Sequence, residues 1–301
     1  MIAKLRELLA ILRADKGEVL GMNRRNLEMI YPRNPRVNFS IVNDKLKTKE
    51  VLERAGLPVS PTLTLFRSFH ELGELEARLA PWDELVIKPA HGSGGRGILV
   101  IARRDGDAFI TAGGRRLERE DVRRRVADIL FGVYTFDKAD VAFVEPRIHP
   151  DPFFATLFAD GLSDVRVITV DGQPVLSMIR VPTRASDGRA NLHQGAIGLG
   201  LDMATGEVVR ARKKGQVVVH HPDSGVELVG RVIPFWSEIL EICRRGAAAI
   251  PLGYLGFDIV IDRASGPVVL EVNARPGLEI QNVTGVPLRA HVARLGLGGD
   301  R

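Results

Sequence analysis

The sequence predicts an α+β protein with antiparallel sheets, and three observations carry that reading. Strand-like and helical stretches are mixed along the chain rather than alternating regularly, which disfavours a parallel doubly wound sheet. FDIVID (257–262) and PVVLEV (267–272) are β-branched apolar runs. The residues between them, Arg263 to Gly266, suit a turn, so the pair reads as a hairpin. ELVIKPA, HGSGGRG and ILVIAR read as a strand, a glycine-rich loop and a second strand.

The elements follow in order. MIAKLRELLAILRADKG has the spacing of an amphipathic helix, but Lys4, Arg6 and Glu7 interrupt its apolar face. It makes a poor signal peptide and reads as a packed first helix. The stretch YPRNPRVNFS is rich in Pro and Asn and irregular. Residues 43–55 read as a helix that Asn43 or Asp44 caps and that Gly56 and Pro58 stop. SPTLTLF is a short strand, and FHELGELEARLA is a helix ended by Pro81. A basic helix spans 117–131, then come strand VAFVEPRI, a loop near Pro150–Pro152 and strand DVRVITV. A tight turn at Asp171–Gly172 leads into strand PVLSMIRVPT. The polar loop 184–195, irregular strands over 207–221 and helix PFWSEILEICRRGAAA precede the hairpin. There is no internal repeat and no low-complexity tail.

A chain of 301 residues, 45% apolar and 26% charged, is long enough for two packed lobes and has the composition of a globular enzyme. Mean hydropathy is near zero, and no apolar run approaches the length of a membrane span. The single cysteine, Cys243, forbids an intrachain disulfide, which makes the cytoplasm the expected compartment. On a helix at 235–249 it reads as a buried structural thiol. The net charge of +5 suits nucleotide phosphates or an acidic polypeptide. It is modest for a nucleic-acid binder, and no nucleic-acid partner is expected. The basic run Arg115 to Arg125 is interleaved with Glu118, Glu120 and Asp121, lacks aromatics and reads as a solvated helix.

The hairpin carries chemistry. If the four-residue loop closes it, Asp262 lies opposite Pro267, and Asp258 lies opposite Glu271. Asn273 is two residues beyond Glu271 and shares its face. Two facing carboxylates repel unless a cation or proton neutralises them. Ligation by oxygen alone favours magnesium or manganese over zinc. The trio Asp258, Glu271 and Asn273 is therefore the candidate metal site, against the plain reading of a solvated hairpin.

The glycine loop supplies the second constellation. Lys88 ends a hydrophobic strand, and Gly92, Gly94, Gly95 and Gly97 surround Ser93 and Arg96. Glycine lets backbone N–H groups approach phosphate oxygens, and a lysine at the mouth adds a point charge. The loop is neither a P-loop nor a dinucleotide fingerprint, and it lies between two strands. It reads as a flap over a nucleotide; the plain reading is a flexible connection.

With these motifs in place, the chain resembles the ATP-grasp superfamily of carboxylate–amine ligases. The motifs are NDKLKTKEVLERAGLPVSPT, LVIKPAHGSGGRGI, FVEPRI, SDVRVITVDG, RANLHQGA and GFDIVID…VLEVNARPGL, spanning 43–285. Within it the chain is most similar to glutamate-ligase-like proteins related to ribosomal-protein glutamate ligases. The resemblance implies the ATP-grasp fold, two α+β subdomains whose antiparallel sheets clasp ATP. The expected division is a shortened N-terminal region at 1–42, a subdomain with the glycine-rich flap at 43–143, and a subdomain with the metal site at 144–301. The resemblance also implies roles. Lys45 and Lys88 contact ATP, with Lys88 deeper. Gly92, Ser93, Gly94, Gly95 and Gly97 cover the phosphates. Glu145, Pro146, Arg147 and Ile148 form the hinge against adenine. Asp258, Glu271 and Asn273 hold magnesium or manganese. Arg275 meets the transferring phosphoryl group, and Arg166 and Asn191 lie near nucleotide and acceptor.

Plain readings stand beside several of these. Lys45 shares a helix with Lys47 and Lys49 and could be solvated. Glu145 could merely end a strand, and Arg166 could face solvent from one. Asn191 could cap a loop. His193, His220 and His221 read as loop or strand-end residues. Two features depart from the family. The residues before Asn43 are too few for the usual α/β domain, so a homo-oligomer or partner protein could complete the substrate site. The stretch 149–162 gives no clear ribose-binding acid, and Asp151 is a guess. The expected activity is an ADP-forming carbon–nitrogen ligase acting through an acyl phosphate, adding glutamate or another amino acid to a peptide or small molecule. A phosphotransferase acting on a hydroxyl and a non-catalytic ATP-binding subunit are the competing readings.

Overall fold

The structure is a computed structural model that describes residues 19–92, 94–135 and 137–297. The helix expected at 1–17, and Ser93, lie outside the described residues. The first described segment is helical rather than irregular: α1 (Met22–Arg25), a π turn (Asn26–Ile30), α2 (Tyr31–Arg33) and α3 (Phe39–Asn43). It buries Leu20, Met29, Ile30, Phe39 and Val42 in the larger of two cores.

Helix α4 (Lys45–Arg54) begins where the sequence places it, because the Asp44 side chain accepts from Leu46 N at 2.9 Å. Gly56 ends it at φ +66°. Its Leu52 faces the larger core. Its Lys49, three residues earlier, reaches the smaller sheet.

The smaller sheet contains β1 (Thr64–Phe66), β2 (Leu85–Pro89), β3 (Leu99–Asp105), β4 (Ala108–Thr111), β5 (Arg116–Leu117) and β6 (Ala142–Glu145), ordered β1-β6-β2-β3-β4-β5. Every pairing is antiparallel. The helix expected over 69–80 is a 3₁₀ stretch (Phe69–Glu74) and then α5 (Leu75–Leu79). With α6 (Arg119–Phe131) it covers one face through Leu72, Leu75, Leu79, Val122, Val126 and Ile129. The basic residues of α6 point away from this face, as a solvated helix requires.

The region near Pro152 is the short helix α7 (Pro152–Leu157) rather than a loop. Asp151, the guessed ribose ligand, caps it by accepting from Phe153 N at 2.8 Å. The larger sheet follows, from β7 (Asp164–Val170), β8 (Gln173–Val181), β9 (Ile197–Leu201), β10 (Val208–Lys213), β11 (Gln216–Val217), β12 (Tyr254–Asp262) and β13 (Gly266–Asn273). Its order is β11-β10-β9-β8-β7-β12-β13. Helix α8 (Trp236–Ala249) packs Ile239, Ile242 and Cys243 on one face. Burial pushes the Cys243 thiol pKa up, as expected of an inert structural cysteine. Two C-terminal helices, α9 (Glu279–Thr284) and α10 (Leu288–Arg294), complete the described chain. α9 can lie against β9 because Gly198 and Gly200 carry no side chain: a Cβ on Gly198 would stand 2.4 Å from Val283. No helix among the described residues is long and apolar enough to cross a membrane.

Candidate nucleotide and metal site

The hairpin forms with Asp258 directly opposite Glu271. The path to that pairing differs from the sequence expectation. Asp262 pairs with Gly266, not Pro267, so the turn is one residue shorter. The register then shifts between Asp258 and Ile259, where Leu270 is the extra residue of a β-bulge. The bulge restores the expected pairing at the acids. Asp258, Glu271 and Asn273 lie together, and Asn273 Nδ2 donates to Asp258 Oδ2 at 3.4 Å.

Asp258 is 4% exposed, and arginines grip both of its oxygens. Arg166, its partner on β7, donates Nε to Oδ1 at 2.7 Å and Nη2 to Oδ2 at 2.6 Å. Arg180 on β8 donates Nη2 to the same Oδ2 at 2.9 Å and forks Asp164 at 2.6 Å through both nitrogens. Arg166 is therefore paired with the candidate metal ligand and is not a solvated strand position. Arg180 and Asp164 belong to the same buried charge cluster, and sequence reading missed both. Their signal was present in the SDVRVITV…SMIRV strands: Asp164 lies two residues before Arg166 on β7, and Arg180 pairs with Asp164 in the antiparallel order. Burial works against the Asp258 carboxylate, but Arg166 and Arg180 outweigh it and hold its pKa below the usual range. Burial raises the pKa of Asp164 despite Arg180, and Asp258 adds to the rise.

Glu271 has no such grip. Among the described residues its carboxylate accepts no hydrogen bond, and Lys45 Nζ lies 3.9 Å away. Burial raises its pKa, Lys45 opposes, and the Asp258 charge adds. Among the described residues no group of three or more His, Cys, Asp or Glu converges on one cation position. The third donor here is the Asn273 amide. An oxygen-only trio with one carboxylate lacking a donor has the chemistry of a hard divalent-cation site, at which Asp258 would have to serve arginine and cation together.

The opposite end of the site stands on the smaller sheet. Lys88 and Glu145 are diagonal neighbours, since Lys88 pairs with Phe143 and Val86 with Glu145. Glu145 is 4% exposed and takes Lys88 Nζ on Oε2 and Lys49 Nζ on Oε1, the latter at 2.6 Å. Lys49 also lies 5.4 Å from the centre of the Phe143 ring. Burial lowers the Lys49 pKa, with Glu145 opposing. Burial works against the Glu145 carboxylate, but the two lysines hold its pKa below the usual range. Sequence reading treated Lys49 as a solvated neighbour of Lys45. Only the contact between α4 and β6 reveals it.

Lys45 joins the two ends. Its Nζ donates to Gly92 O, and its charge is felt by Glu271 and Lys88. Burial lowers its pKa. The flap base is pinned beside it: Asp140 accepts from His91 N and pairs with His91 Nδ1 at 2.7 Å. Gly94, Gly95 and Gly97 take φ between +65° and +79°, which a bulky residue would resist. At Gly97 a Cβ would also meet the Tyr134 ring at 2.6 Å.

The remaining predicted residues scatter. Pro146 and Ile148 continue the chain from Glu145 as half-buried residues, and Arg147 Nη1 lies 3.6 Å from Glu84. Asn191 caps the turn at Leu192–Gln194 by accepting from His193 N at 3.0 Å, the plain reading of that residue. His221 is a buried loop anchor that bonds Pro182 O at 2.9 Å. Arg275 is exposed, with its guanidinium 4.9 Å over the Phe39 ring.

Two antiparallel sheets with packed helices, a glycine-rich loop beside one and an acid pair on the other, fit the ATP-grasp fold. The chain belongs to the sugar-transfer associated ATP-grasp family, whose profile matches residues 24–295. It is 26% identical over 274 residues to the ribosomal protein bS6–L-glutamate ligase of Escherichia coli O7:K1, covering 90% of this chain and 69% of that protein. It is 27% identical over 257 residues to a probable alpha-L-glutamate ligase of Maridesulfovibrio salexigens, covering 85% of this chain and 64% of that one. Among solved structures it is similar to the biotin carboxylase of Campylobacter jejuni, solved as a β,γ-ATP complex. The TM-score is 0.54 at 17% identity, over 88% of this chain and 48% of that one. That likeness concerns the fold. The chain spans only part of the length of each of these proteins.

Proposed function

We propose that this protein is an ATP-dependent carboxylate–amine ligase, releasing ADP through an acyl phosphate and adding glutamate or another amino acid to a peptide or small molecule. One observation supports this most. Glu145 pairs with Lys88 on one side, and Lys45 pairs with Glu271, which lies opposite Asp258, on the other. One end offers cations suited to phosphates and the other offers oxygens suited to a metal.

When bound, ATP supplies the phosphoryl group that activates a carboxylate, and magnesium offsets the charge that develops on the phosphates. Residues 43–143 and 144–301 act as lobes closing on the nucleotide. Lys88 and Lys49 are held ready by Glu145, and their point charges can turn toward phosphate oxygens. Lys45 ties the flap base at Gly92 to Glu271. Residues 91–97 exclude water that would hydrolyse the activated carboxylate. Arg275, with no acid partner among the described residues, is free to meet the transferred group.

The test is a phosphate-release screen over pairs of carboxylates and amines, with mass analysis of products. The family's description as sugar-transfer associated puts amino sugars in the panel beside amino acids and peptides. An amide with ADP is the expected result. A phosphorylated, unligated product would show a phosphotransferase, and ATP binding without turnover in any pair would show a binding subunit.

A further inference from the structure

Two buried hydrogen-bond donors beside the turn after β13 lack acceptors, the Arg25 Nε and the Tyr254 hydroxyl. Arg25, from α1, donates Nη1 to Pro276 O at 3.0 Å and Nη2 to Asn26 Oδ1 at 3.1 Å. Its Nε is buried and has no hydrogen-bond partner. Tyr254 lies on the same face of β12 as Asp258, four residues along. It is fully buried, and its hydroxyl also has no partner. Burial pushes its pKa up to about 12, against the charges of Arg25 and Arg166, which both reach it. Arg166 approaches the turn from the other side. Its Nη1, the nitrogen that does not bond Asp258, lies 3.9 Å from where a side chain on Gly277 would begin. Arg275 sits in the turn itself, and among the described residues neither it nor Arg25 is paired with a carboxylate.

Buried guanidinium nitrogens and tyrosine hydroxyls ordinarily find acceptors. Every group here is a donor, and two of the guanidiniums carry uncompensated charge. Such a set matches a ligand that brings only acceptors and a negative charge, and the guanidinium fork suits a carboxylate.

We infer that Arg25, Tyr254 and the free edge of Arg166 form an anion subsite beside the Arg275–Gly277 turn, which holds the unreactive carboxylate of an amino-acid substrate. This rests on the ligase reading and assigns residues 19–42 a role in substrate recognition. It separates the carboxylate that is recognised from the one that is activated.

Calorimetric titration of the full chain tests it, with magnesium and a non-hydrolysable ATP analogue present. The probes are the common L-amino acids and the carboxamide of each. At least one acid should bind about tenfold more tightly than its carboxamide. Arg25→Gln and Tyr254→Phe should each remove most of that preference, with affinity for the ATP analogue within about twofold of wild type. Arg25→Lys should restore part of it, because charge survives and the fork does not. Tyr254→Phe deletes only an unpartnered hydroxyl, so its melting temperature should not fall, and it carries the test if Arg25→Gln unfolds. Equal binding of acid and carboxamide overturns the subsite. So does an unchanged preference in Tyr254→Phe and Arg25→Gln, or no bound acid in a protein that binds the ATP analogue. Failure of the wild type to bind the analogue at all overturns the ligase reading itself, and the subsite with it.

Discussion

The two buried charge clusters use different cations for different ends. On the smaller sheet, Lys49 and Lys88 grip one carboxylate, Glu145. On the larger sheet, Arg166 and Arg180 grip Asp258 and Asp164. The lysine cluster carries an excess positive charge, and the arginine cluster is balanced. Lysine ends in a compact charge on a flexible stem, so it can exchange one partner for another. An arginine fork fixes the plane of its carboxylate across strands. On the proposed reading, the contrast separates a cation end that can follow phosphates from an acid end that must stay still. Lys45 and Glu271, 3.9 Å apart, stand between them.

Substitutions can break that contrast, and the largest effect belongs to the acid with no fork. Glu271→Ala should lower magnesium-dependent ATP turnover by about a thousandfold while leaving the chain folded. Phosphate release beside circular dichroism checks it, and turnover at the wild-type rate would remove the metal assignment. Arg180→Ala should instead act on stability. It strips a fork from Asp164 and a donor from Asp258, both buried, and should cost about 3–5 kcal/mol in urea unfolding. Loss of activity without loss of stability would show that the acid end is not held by its arginines. Lys88→Ala should weaken ATP binding by about tenfold and by more than Lys45→Ala. Calorimetry giving the reverse order would shift the phosphate end toward the flap base.

The smallest effect concerns pH. The pKa of Glu145 in the folded chain lies below the reference of 4.5, so the unfolded chain binds the extra proton between the two values. Its contribution is complete above the reference and is lost as pH falls through the depressed value. Lys49→Met removes one of the two cations responsible and should flatten the acid limb of stability by ~1 kcal/mol. An acid limb as steep as wild type would mean that Lys88 alone holds Glu145.

Local patterns made much of this legible. Asp44 and Gly56 bound α4, and alternation places Asp258 and Glu271 on one face. Contacts between distant elements were not legible. Lys49 looks like any lysine in a charged helix until α4 meets β6. Arg180 lies fourteen residues after Arg166, and only the β7–β8 register brings both to Asp258. Short elements were missed for a different reason. β5 and β11 each have two residues, and α7 has a proline at its start, so none has a period to read. Asn191 sits in a matching segment, and its side chain caps a turn, a contact that its place in the motif does not reveal.

Leu270 gives β13 a spare residue. Ile259 pairs with Val269 and Asp258 with Glu271, so Leu270 alone has no opposite number. β13 ends the sheet order, and its other side carries a single parallel bridge, from Val59 to Val269. Deleting Leu270 would therefore be a strand deletion that leaves every cross-strand partner in place. It would remove the local twist and keep the pairing. A chain shortened by that one residue asks whether the acids need their aim or only their address.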